Sequence, residues 1–285
     1  MEILHTVAEL REWARELRST ARNEAGNTIG LVPTMGALHA GHASLIRAAR
    51  ASVGTVAVSI FVNPTQFGPN EDYVLYPRSL EADCALAEAE GADAVFAPSV
   101  EELYPAGAAT FVEVAGLSAR LDGRSRPGHF RGVATVVTKL LIASEADRAF
   151  FGQKDAAQVA VLRRMVADLR LAAEIVVCPI VREADGLALS SRNVYLSPEE
   201  RKQALTLSRA VREAEKLVAT GERRSITLIE AARQTFANVP EVRVDFIELA
   251  NWATLEPVET ATPGTLFALA AWVGKTRLID NAILR

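Results

Sequence analysis

The sequence Pro33-Thr34-Met35-Gly36-Ala37-Leu38-His39-Ala40-Gly41-His42 joins two segments of different periodicity. Ile29 to Val32 have the pattern of a buried strand end, and Ala43 to Arg50 repeat apolar residues with helical spacing. Gly36 and Gly41 permit a tight turn and a close backbone approach. The first free N–H groups of the helix, with the positive end of its dipole, face whatever lies above the strand end. This stretch therefore predicts a strand-turn-helix unit that binds an anion, most naturally a phosphate.

Two of the four histidines in the chain, His39 and His42, fall within this turn. Imidazoles can donate hydrogen bonds to a phosphate on which charge grows in a transition state. A histidine is more often a surface residue or a satisfied core residue, and a His-x-x-His pair also occurs in metal sites. No cysteine or carboxylate cluster lies near in sequence to complete a zinc set, so the context favours a phosphate site over a metal site or a purely structural turn.

Composition restricts the class of protein. With 285 residues and 49% hydrophobic content, the chain can bury a large core in one or two domains. The net charge of -4 argues against a large nucleic-acid surface. No apolar run approaches the roughly 20 residues of a membrane helix, and charged residues interrupt the N-terminus where a signal peptide needs an apolar core. Cys84 and Cys178 are far apart and form no C-x-x-C, so we expect reduced thiols and a cytoplasmic protein.

Strand-like and helix-like runs alternate through the first two thirds of the chain, which predicts a parallel sheet covered by helices. The expected strands are Ile29 to Val32, Thr55 to Phe61, Ala94 to Ala97, Arg148 to Phe151 and Ile175 to Cys178, with Thr110 to Val114 as an edge strand. The expected helices are Thr6 to Ser19, Ala43 to Arg50, Leu80 to Glu90, Ala134 to Ile142 and Ala156 to Leu169. Ligands in such sheets gather at the carboxyl ends of the strands.

The pattern changes after about Asp185. Ser197 and Glu200 form a capping-box sequence, and the long charged helix that follows, Arg201 to Thr220, ends at Gly221. One more helix and three strands are expected beyond it: Ser225 to Ala237, Val242 to Leu249, Leu266 to Val273 and Arg277 to Ile279. We therefore expect two domains, residues 1–184 and a smaller α/β domain of residues 185–285, with Arg182 to Leu189 as the hinge.

Polar clusters follow three of the expected strands, at Asn63 to Phe67, at Gly152 to Asp155 and at Ser190 to Asn193. Lys154 in the second cluster can neutralise phosphate charge. Ser190, Ser191 and Arg192 suit the outer phosphates of a nucleotide. Gln66 and Gln158 can donate and accept hydrogen bonds, which suits a ligand with hydroxyl and carboxylate groups. Taken singly, each of these residues is more often an ordinary surface residue.

A basic run, Arg124 to Gly132, also concentrates positive charge within a few residues. It lacks the spaced aromatic residues of a nucleic-acid surface, so a small anion is its favoured ligand. No G-x-x-x-x-G-K-[ST] loop is present, which argues against a P-loop kinase.

Together these motifs resemble the pantothenate synthetases, or pantoate–β-alanine ligases, over nearly the whole chain. The matching stretches are PTMGALHAGH at Pro33 to His42, VSIFVNPTQF at Val58 to Phe67, YPRSLEAD at Tyr76 to Asp83, SRPGHFRGV at Ser125 to Val133, FGQKD at Phe151 to Asp155, DGLALSSRNVYLS at Asp185 to Ser197 and RLIDN at Arg277 to Asn281. The first stretch is similar to a His-x-Gly-His pattern of a wider nucleotidyltransferase superfamily, which includes some aminoacyl-tRNA synthetases. The other stretches narrow the resemblance to this one family.

The resemblance implies a Rossmann-like parallel sheet flanked by helices with a smaller C-terminal lid domain, and commonly a homodimer. It implies an ATP-dependent ligase that uses Mg²⁺ with the nucleotide and joins pantoate to β-alanine through pantoyl adenylate, with no nucleic-acid or membrane partner. The residues implied for ATP are Met35, Gly36, Ala37, Leu38, His39, Ala40, Gly41, His42, Gly152, Gln153, Lys154, Asp155, Val181, Leu189, Ser190, Ser191 and Arg192. His42, His39, Lys154 and Arg192 are the expected catalytic residues.

By the same resemblance, Gln66, Gln158 and Asn63 bind pantoate, and Gln66 also reaches β-alanine. Arg126 and His129 match positions near the active site, and no residue is assigned to the metal. The chain departs from the family pattern at Thr65, where methionine is common, at Gln153, where glutamate is frequent, and at Ala157, which replaces the first of two glutamines. The alternatives are a nucleotidyltransferase that keeps the nucleotide on its product, a synthetase that charges tRNA, and a nucleotide-sensing module.

Overall fold

Short strands form a parallel sheet in the amino-terminal part of the chain. The structure is a computed structural model that describes residues 1–20, 28–69 and 71–285. The sheet has the order β1-β4-β3-β2-β5-β6, and each neighbouring pair is parallel. Its strands are β1 Glu2–Leu4, β2 Ile29–Thr34, β3 Thr55–Ile60, β4 Ala94–Phe96, β5 Arg148–Gly152 and β6 Glu174–Cys178.

Helices cover both faces of this sheet, as its nearly continuous apolar strands require. The helices of the amino-terminal part are α1 Val7–Thr20, α2 Ala40–Arg50, α3 Leu80–Ala89, α4 Val100–Leu103, α5 Asp122–Ser125, α6 His129–Ser144 and α7 Ala156–Leu169. Consecutive strand residues point to opposite faces. Phe151 therefore packs with α1, α6 and α7, whereas Phe150 packs with α2 and α3. The predicted α/β class with a parallel sheet is confirmed.

The carboxyl-terminal part consists of two helices and an antiparallel sheet. These elements are α8 Pro198–Ala219, α9 Ser225–Ala237, β7 Val242–Asn251, β8 Thr265–Val273 and β9 Thr276–Ile283, with the strand order β7-β8-β9. The Ser197–Glu200 capping box forms as expected. One face of the sheet, with Phe267 and Leu269, packs against α8 and α9. The other face, with Phe246 and Leu266, joins the core of the amino-terminal part.

Polar contacts also join the two parts. Trp252 Nε1 donates to the carbonyl oxygen of Ala156 at 3.0 Å. Arg277 lies between Asp122 and Asp245 at 2.7 and 2.8 Å, and its side chain is 12% exposed. The smaller C-terminal α/β unit is confirmed as an element of the fold, whereas the hinge at Arg182 to Leu189 and the domain boundary after residue 184 stay predictions.

The expected edge strand at Thr110 to Val114 is wrong. This segment is irregular, because the N–H of Val112 is bonded to the Thr135 hydroxyl of α6 at 2.9 Å and no described strand lies beside it. The strand at this edge of the sheet is β1, which pairs with β4. It has only three residues, too few for a period to be recognised. Helix α6 also begins at His129, five residues before the predicted start, directly after Gly128 in the left-handed conformation.

Within the described ranges, no helix combines the length and the apolar composition that crossing a membrane requires.

Candidate active site

A pocket opens above the carboxyl ends of β2, β3, β5 and β6. Strands β2 and β5 are neighbours, but the chain continues from them toward opposite edges of the sheet, so the pocket lies at the topological switch point. Its cavity measures about 230 Å³. The predicted residues that line it are Met35, His39, Gly41, His42, Asn63, Gln66, Arg126, His129, Gly152, Lys154, Asp155, Gln158, Val181, Leu189, Ser190, Ser191 and Arg192.

Five predicted residues do not line this pocket. They are Gly36, Ala37, Leu38, Ala40 and Gln153. The N–H groups of Ala37 and Leu38 donate instead to the Asp83 carboxylate, at 2.9 and 2.7 Å. The Gln153 amide is turned toward Asn281 and donates to its Oδ1 at 3.2 Å.

The two histidines cap helix α2 with each other. His39 is the N-cap, and its Nδ1 accepts from the N–H of Gly41 at 3.1 Å. His42 Nδ1 accepts from the N–H of His39 at 3.3 Å. The ring centroids lie 4.1 Å apart. A side chain at position 41 would strike the His39 ring at 2.8 Å, which explains the glycine there.

These bonds decide where the imidazole protons reside. A ring nitrogen that accepts a hydrogen bond carries no proton, so each neutral ring holds its proton on Nε2. Burial, with Lys154 nearby, lowers the pKa of His39 to about 4. Burial, with His39 and Lys154 nearby, lowers the pKa of His42 to about 3. At neutral pH the two histidines are therefore uncharged in this structure, and they offer two Nε2–H donors to an anion but no positive charge.

Asp83 supports the turn next to the pocket, and the sequence analysis assigned it no role. Its side chain is 4% exposed, and it holds the Gly36-Ala37-Leu38 turn through the two N–H bonds described above. Gly36 and Ala37 both adopt positive φ, 82° and 51°. A side chain at position 36 would lie 2.9 Å from the Asp83 carboxylate. Asp83 belongs to the YPRSLEAD stretch, so a motif without an assigned role was the available signal.

Two of the three predicted pantoate ligands, Asn63 and Gln66, form a buried amide pair. Gln66 donates from Nε2 to Met35 Sδ at 2.8 Å and accepts at Oε1 from Asn63 Nδ2 at 3.1 Å. Asn63 is 1% exposed, and its Nδ2 also donates to the Gly132 carbonyl at 3.1 Å. Thr65, the departure from the family pattern, donates to Asn63 Oδ1 at 2.8 Å and bonds to the Tyr104 hydroxyl at 3.2 Å. Asn63 is thus bonded to protein and orients Gln66.

Helix α6 packs against the turn formed by Asn63 to Gln66. Gly132 has no room for a side chain, because a Cβ there would lie 2.5 Å from the Thr65 carbonyl carbon and 2.6 Å from the Gln66 nitrogen. One turn earlier, His129 Nδ1 is bonded to the Gln66 carbonyl at 2.8 Å and Nε2 to Arg126 at 3.0 Å. Arginine can only donate, so the proton of His129 lies on Nδ1. Burial and Arg126 lower the pKa of His129 to about 4.

The cations of the pocket differ in their partners. Arg126 and Arg192 each form a two-point pair with a neighbouring acid, Glu71 and Asp72 respectively, at 2.6 to 3.2 Å. Among the described residues, the Lys154 ammonium forms no ion pair or hydrogen bond. Lys154 is therefore the cation of this pocket that is available to an anion without breaking a contact.

The pocket also has an apolar wall that sequence reasoning did not identify. It comprises Phe61, Val133, Val136, Val137 and Leu140, four of which come from one face of α6. Tyr76 lies at the pocket too, and its hydroxyl is 3.4 Å from that of Ser191. The sequence predicted a helix over three of these positions, Val136, Val137 and Leu140, and nothing in the sequence separates a wall of the core from a wall of the pocket.

In the part of the chain that the structure describes, no three His, Cys, Asp or Glu side chains come together as a metal cluster. The protein donors described here therefore do not form a cage for a divalent ion, and an Mg²⁺ ion at this site would need oxygens from a ligand.

Comparison with known proteins identifies the relatives of this chain. The family model for pantoate-beta-alanine ligase matches residues 2–283. Pantothenate synthetase of Acidobacterium capsulatum is 60% identical over all of this chain and 97% of its own. The crystal structure of pantothenate synthetase from Thermus thermophilus superimposes with a TM-score of 0.92, 46% identity and 99% coverage of both chains. Pantoate-beta-alanine ligase from Francisella tularensis, solved with beta-gamma ATP and beta-alanine, gives a TM-score of 0.79 and 33% identity, over 99% of this chain and 97% of that one.

Proposed function

The chain belongs to the pantoate-beta-alanine ligase family, and on this premise we propose that it joins pantoate to β-alanine through a pantoyl adenylate, consuming ATP and releasing AMP and pyrophosphate. The observation that carries this proposal is the junction of two kinds of site in one pocket. Hydrogen-bond donors that suit a phosphate are present on His39, His42 and Lys154. These residues line the same pocket as the amides of Gln66 and Gln158. The Francisella relative, which was solved with beta-gamma ATP and beta-alanine, supports the proposal that this chain uses the same two substrates.

In the proposed first step, a pantoate carboxylate oxygen bonds to the α-phosphorus of ATP while the bond from that phosphorus to the pyrophosphate oxygen breaks. Negative charge moves onto the phosphate oxygens and the departing pyrophosphate. The Nε2–H groups of His39 and His42, the α2 amino terminus and the Lys154 ammonium are fixed donors for that charge. Arg192 would add a second cation after exchanging Asp72 for phosphate.

Pantoate has a hydroxylated polar end and a carbon bearing two methyl groups. The pocket is lined by both kinds of side chain, the amides of Gln66 and Gln158 and the α6 valines. Amides can donate to the carboxylate and accept from the hydroxyl groups. Apolar side chains such as Val136 and Val137 suit the methyl groups, because burying them removes apolar surface from water.

In the proposed second step, the neutral amine of β-alanine forms the amide bond at the activated carbonyl carbon, and AMP leaves with the electrons of the carbon–oxygen bond. The amine must lose a proton. His39 and His42 are poor acceptors for it, because their unprotonated Nδ1 atoms already bind backbone N–H groups. Solvent or a phosphate oxygen of the leaving AMP is the acceptor that this geometry favours.

We propose that Mg²⁺ enters with ATP as the substrate complex, held mainly by phosphate oxygens. When bound, it neutralises phosphate charge. We also propose a cytoplasmic homodimer, as the family resemblance implies. The two cysteines, Cys84 and Cys178, are buried free thiols, which fits a reducing compartment.

Isotope exchange tests the adenylate pathway directly. With pantoate, ATP and Mg²⁺ but without β-alanine, the enzyme should exchange labelled pyrophosphate into ATP, because adenylation is a separate and reversible step. Addition of β-alanine should then yield AMP and pantothenate in equal amounts. Exchange that strictly requires β-alanine would exclude a free-standing adenylation step.

A further inference from the structure

The RLIDN stretch on β9 matches the family, yet the proposed chemistry gives it no role. Asn281 in this stretch is 4% exposed. Its Nδ2 donates to two consecutive carbonyl oxygens, those of Gln153 at 3.1 Å and Lys154 at 2.8 Å. Its Oδ1 accepts from the Gln153 amide at 3.2 Å. Every polar atom of this side chain is thus bonded to the turn that carries Lys154.

This turn has no cap of its own. Residues Gln153–Asp155 form a short 3-10 helix that leads into α7, and neither Gly152 nor Asp155 provides a side-chain hydrogen bond as N-cap. Among the described residues, the side chain that bonds to this turn from elsewhere in the chain is that of Asn281, about 130 residues further along.

Asn281 is itself held in place. Its N–H donates to Asp280 Oδ1 at 2.8 Å. The Asp280 carboxylate, 2% exposed, receives both Nη atoms of Arg182 at 2.7 and 2.8 Å. Asn281 lies on β9, where it pairs with Ala268 of β8, the central strand of the small sheet. The donor that faces the Lys154 turn therefore has a rigid base.

We propose that Asn281 is a positioning residue for Lys154: it fixes the backbone of the turn and so aims the ammonium at the triphosphate. This inference rests on the proposed function, in which Lys154 contacts phosphate. The Lys154 ammonium has no described partner that would aim it, so its direction depends on the backbone from which it extends. A displacement of about 1 Å at a reacting group can cost about 10²-fold in rate.

The test is a double-mutant cycle with Asn281→Ala and Lys154→Ala, with kcat/KM for ATP measured by AMP release and ATP affinity by calorimetry. Asn281→Ala should lower kcat/KM for ATP by about 10- to 100-fold and change the KM for pantoate by less than about threefold. In the Lys154→Ala background the same substitution should cost less than about threefold. Thr265→Val, which removes a buried hydroxyl from the same sheet, is the stability-matched control and should keep wild-type kinetics.

Asn281→Asp keeps the shape of the side chain and serves if the alanine variant does not fold. A carboxylate that faces two carbonyl oxygens has a raised pKa, and only its protonated form can donate to one of them. The activity of Asn281→Asp relative to wild type should therefore fall as pH rises from about 6 to 8.5. A ratio that is constant with pH would contradict positioning by donation.

The outcomes separate this inference from the proposed function. Equal losses for Asn281→Ala in both backgrounds, or no loss in either, would overturn positioning while the role of Lys154 stands. Wild-type turnover and ATP affinity in Lys154→Ala alone would remove Lys154 from the phosphate site, and the positioning role of Asn281 would fall with it.

Discussion

Gly132→Ala should separate pantoate binding from ATP binding. Helix α6 touches the Asn63–Gln66 turn at Gly132, where an added Cβ would meet the Thr65 carbonyl and lie 2.6 Å from the Gln66 nitrogen. Both contacts are with backbone, so no side chain can rotate away. An ordinary contact begins at 3.4 Å, and the helix and the turn must therefore separate by about 1 Å.

The consequence for the pantoate site can be estimated from the bonds across this contact. The Asn63 Nδ2 bond to the Gly132 carbonyl, now 3.1 Å, would lengthen beyond hydrogen-bonding distance, and the His129 bond to the Gln66 carbonyl would weaken. Gln66 would lose its orientation. A shift of about 1 Å at a substrate-positioning group corresponds to about 10²-fold in kcat/KM for pantoate. Lys154 and the α2 amino terminus lie on other elements, so ATP affinity should change by less than about threefold.

Stability should change much less than activity. Overpacking costs about 1–3 kcal/mol. Replacing glycine by alanine inside a helix returns about 1 kcal/mol. Gly30→Ala is a matched control, because its Cβ would press on Val53 at 2.7 Å in the sheet core, away from the Gln66 turn.

The assay is steady-state AMP release with pantoate varied at saturating ATP and β-alanine, together with calorimetric ATP binding and urea denaturation. Gly132→Ala should lose kcat/KM for pantoate, whereas Gly30→Ala should lose only stability. Near-native kcat/KM for pantoate in Gly132→Ala, or an equal loss of ATP affinity, would refute the contact argument.

Two further predictions concern protonation and closure. Nitrogen NMR should find His39 and His42 protonated on Nε2 and His129 protonated on Nδ1. None of the three should titrate between about pH 5.5 and 8, because their pKa values lie near 4, 3 and 4. Titration of any of them near the ordinary histidine pKa of about 6.5 would contradict these bonds. Hydrogen exchange should slow across Leu189 to Asn193 when ATP and Mg²⁺ bind, since Arg192 would exchange Asp72 for phosphate and close the segment over the nucleotide. Unchanged exchange with tightly bound ATP, together with full activity of Arg192→Ala, would exclude this closure.

The sequence by itself determined the features that depend on neighbouring residues. Helical spacing and glycines within about ten residues were enough to predict the strand-turn-helix unit at His39 and His42, and the Ser197–Glu200 capping box was predicted for the same reason. Alternation of strands and helices gave the parallel sheet, because each parallel crossover needs a helix. A sheet of this kind brings its carboxyl ends together, and that is why clusters as far apart as Gln66 and Lys154 were expected at one edge.

Only the tertiary structure decided how the side chains are held. Asp83, Gly132 and Asn281 act on turns 45 to 128 residues away along the chain, and no local period records such a contact. The structure likewise decided the charge of the histidines, since burial and the acceptor role of Nδ1 depend on packing. Composition and periodicity report which residues are apolar and which lie on one face of a helix. The partner of a buried polar atom depends on where distant segments meet, and that is fixed only when the chain has folded.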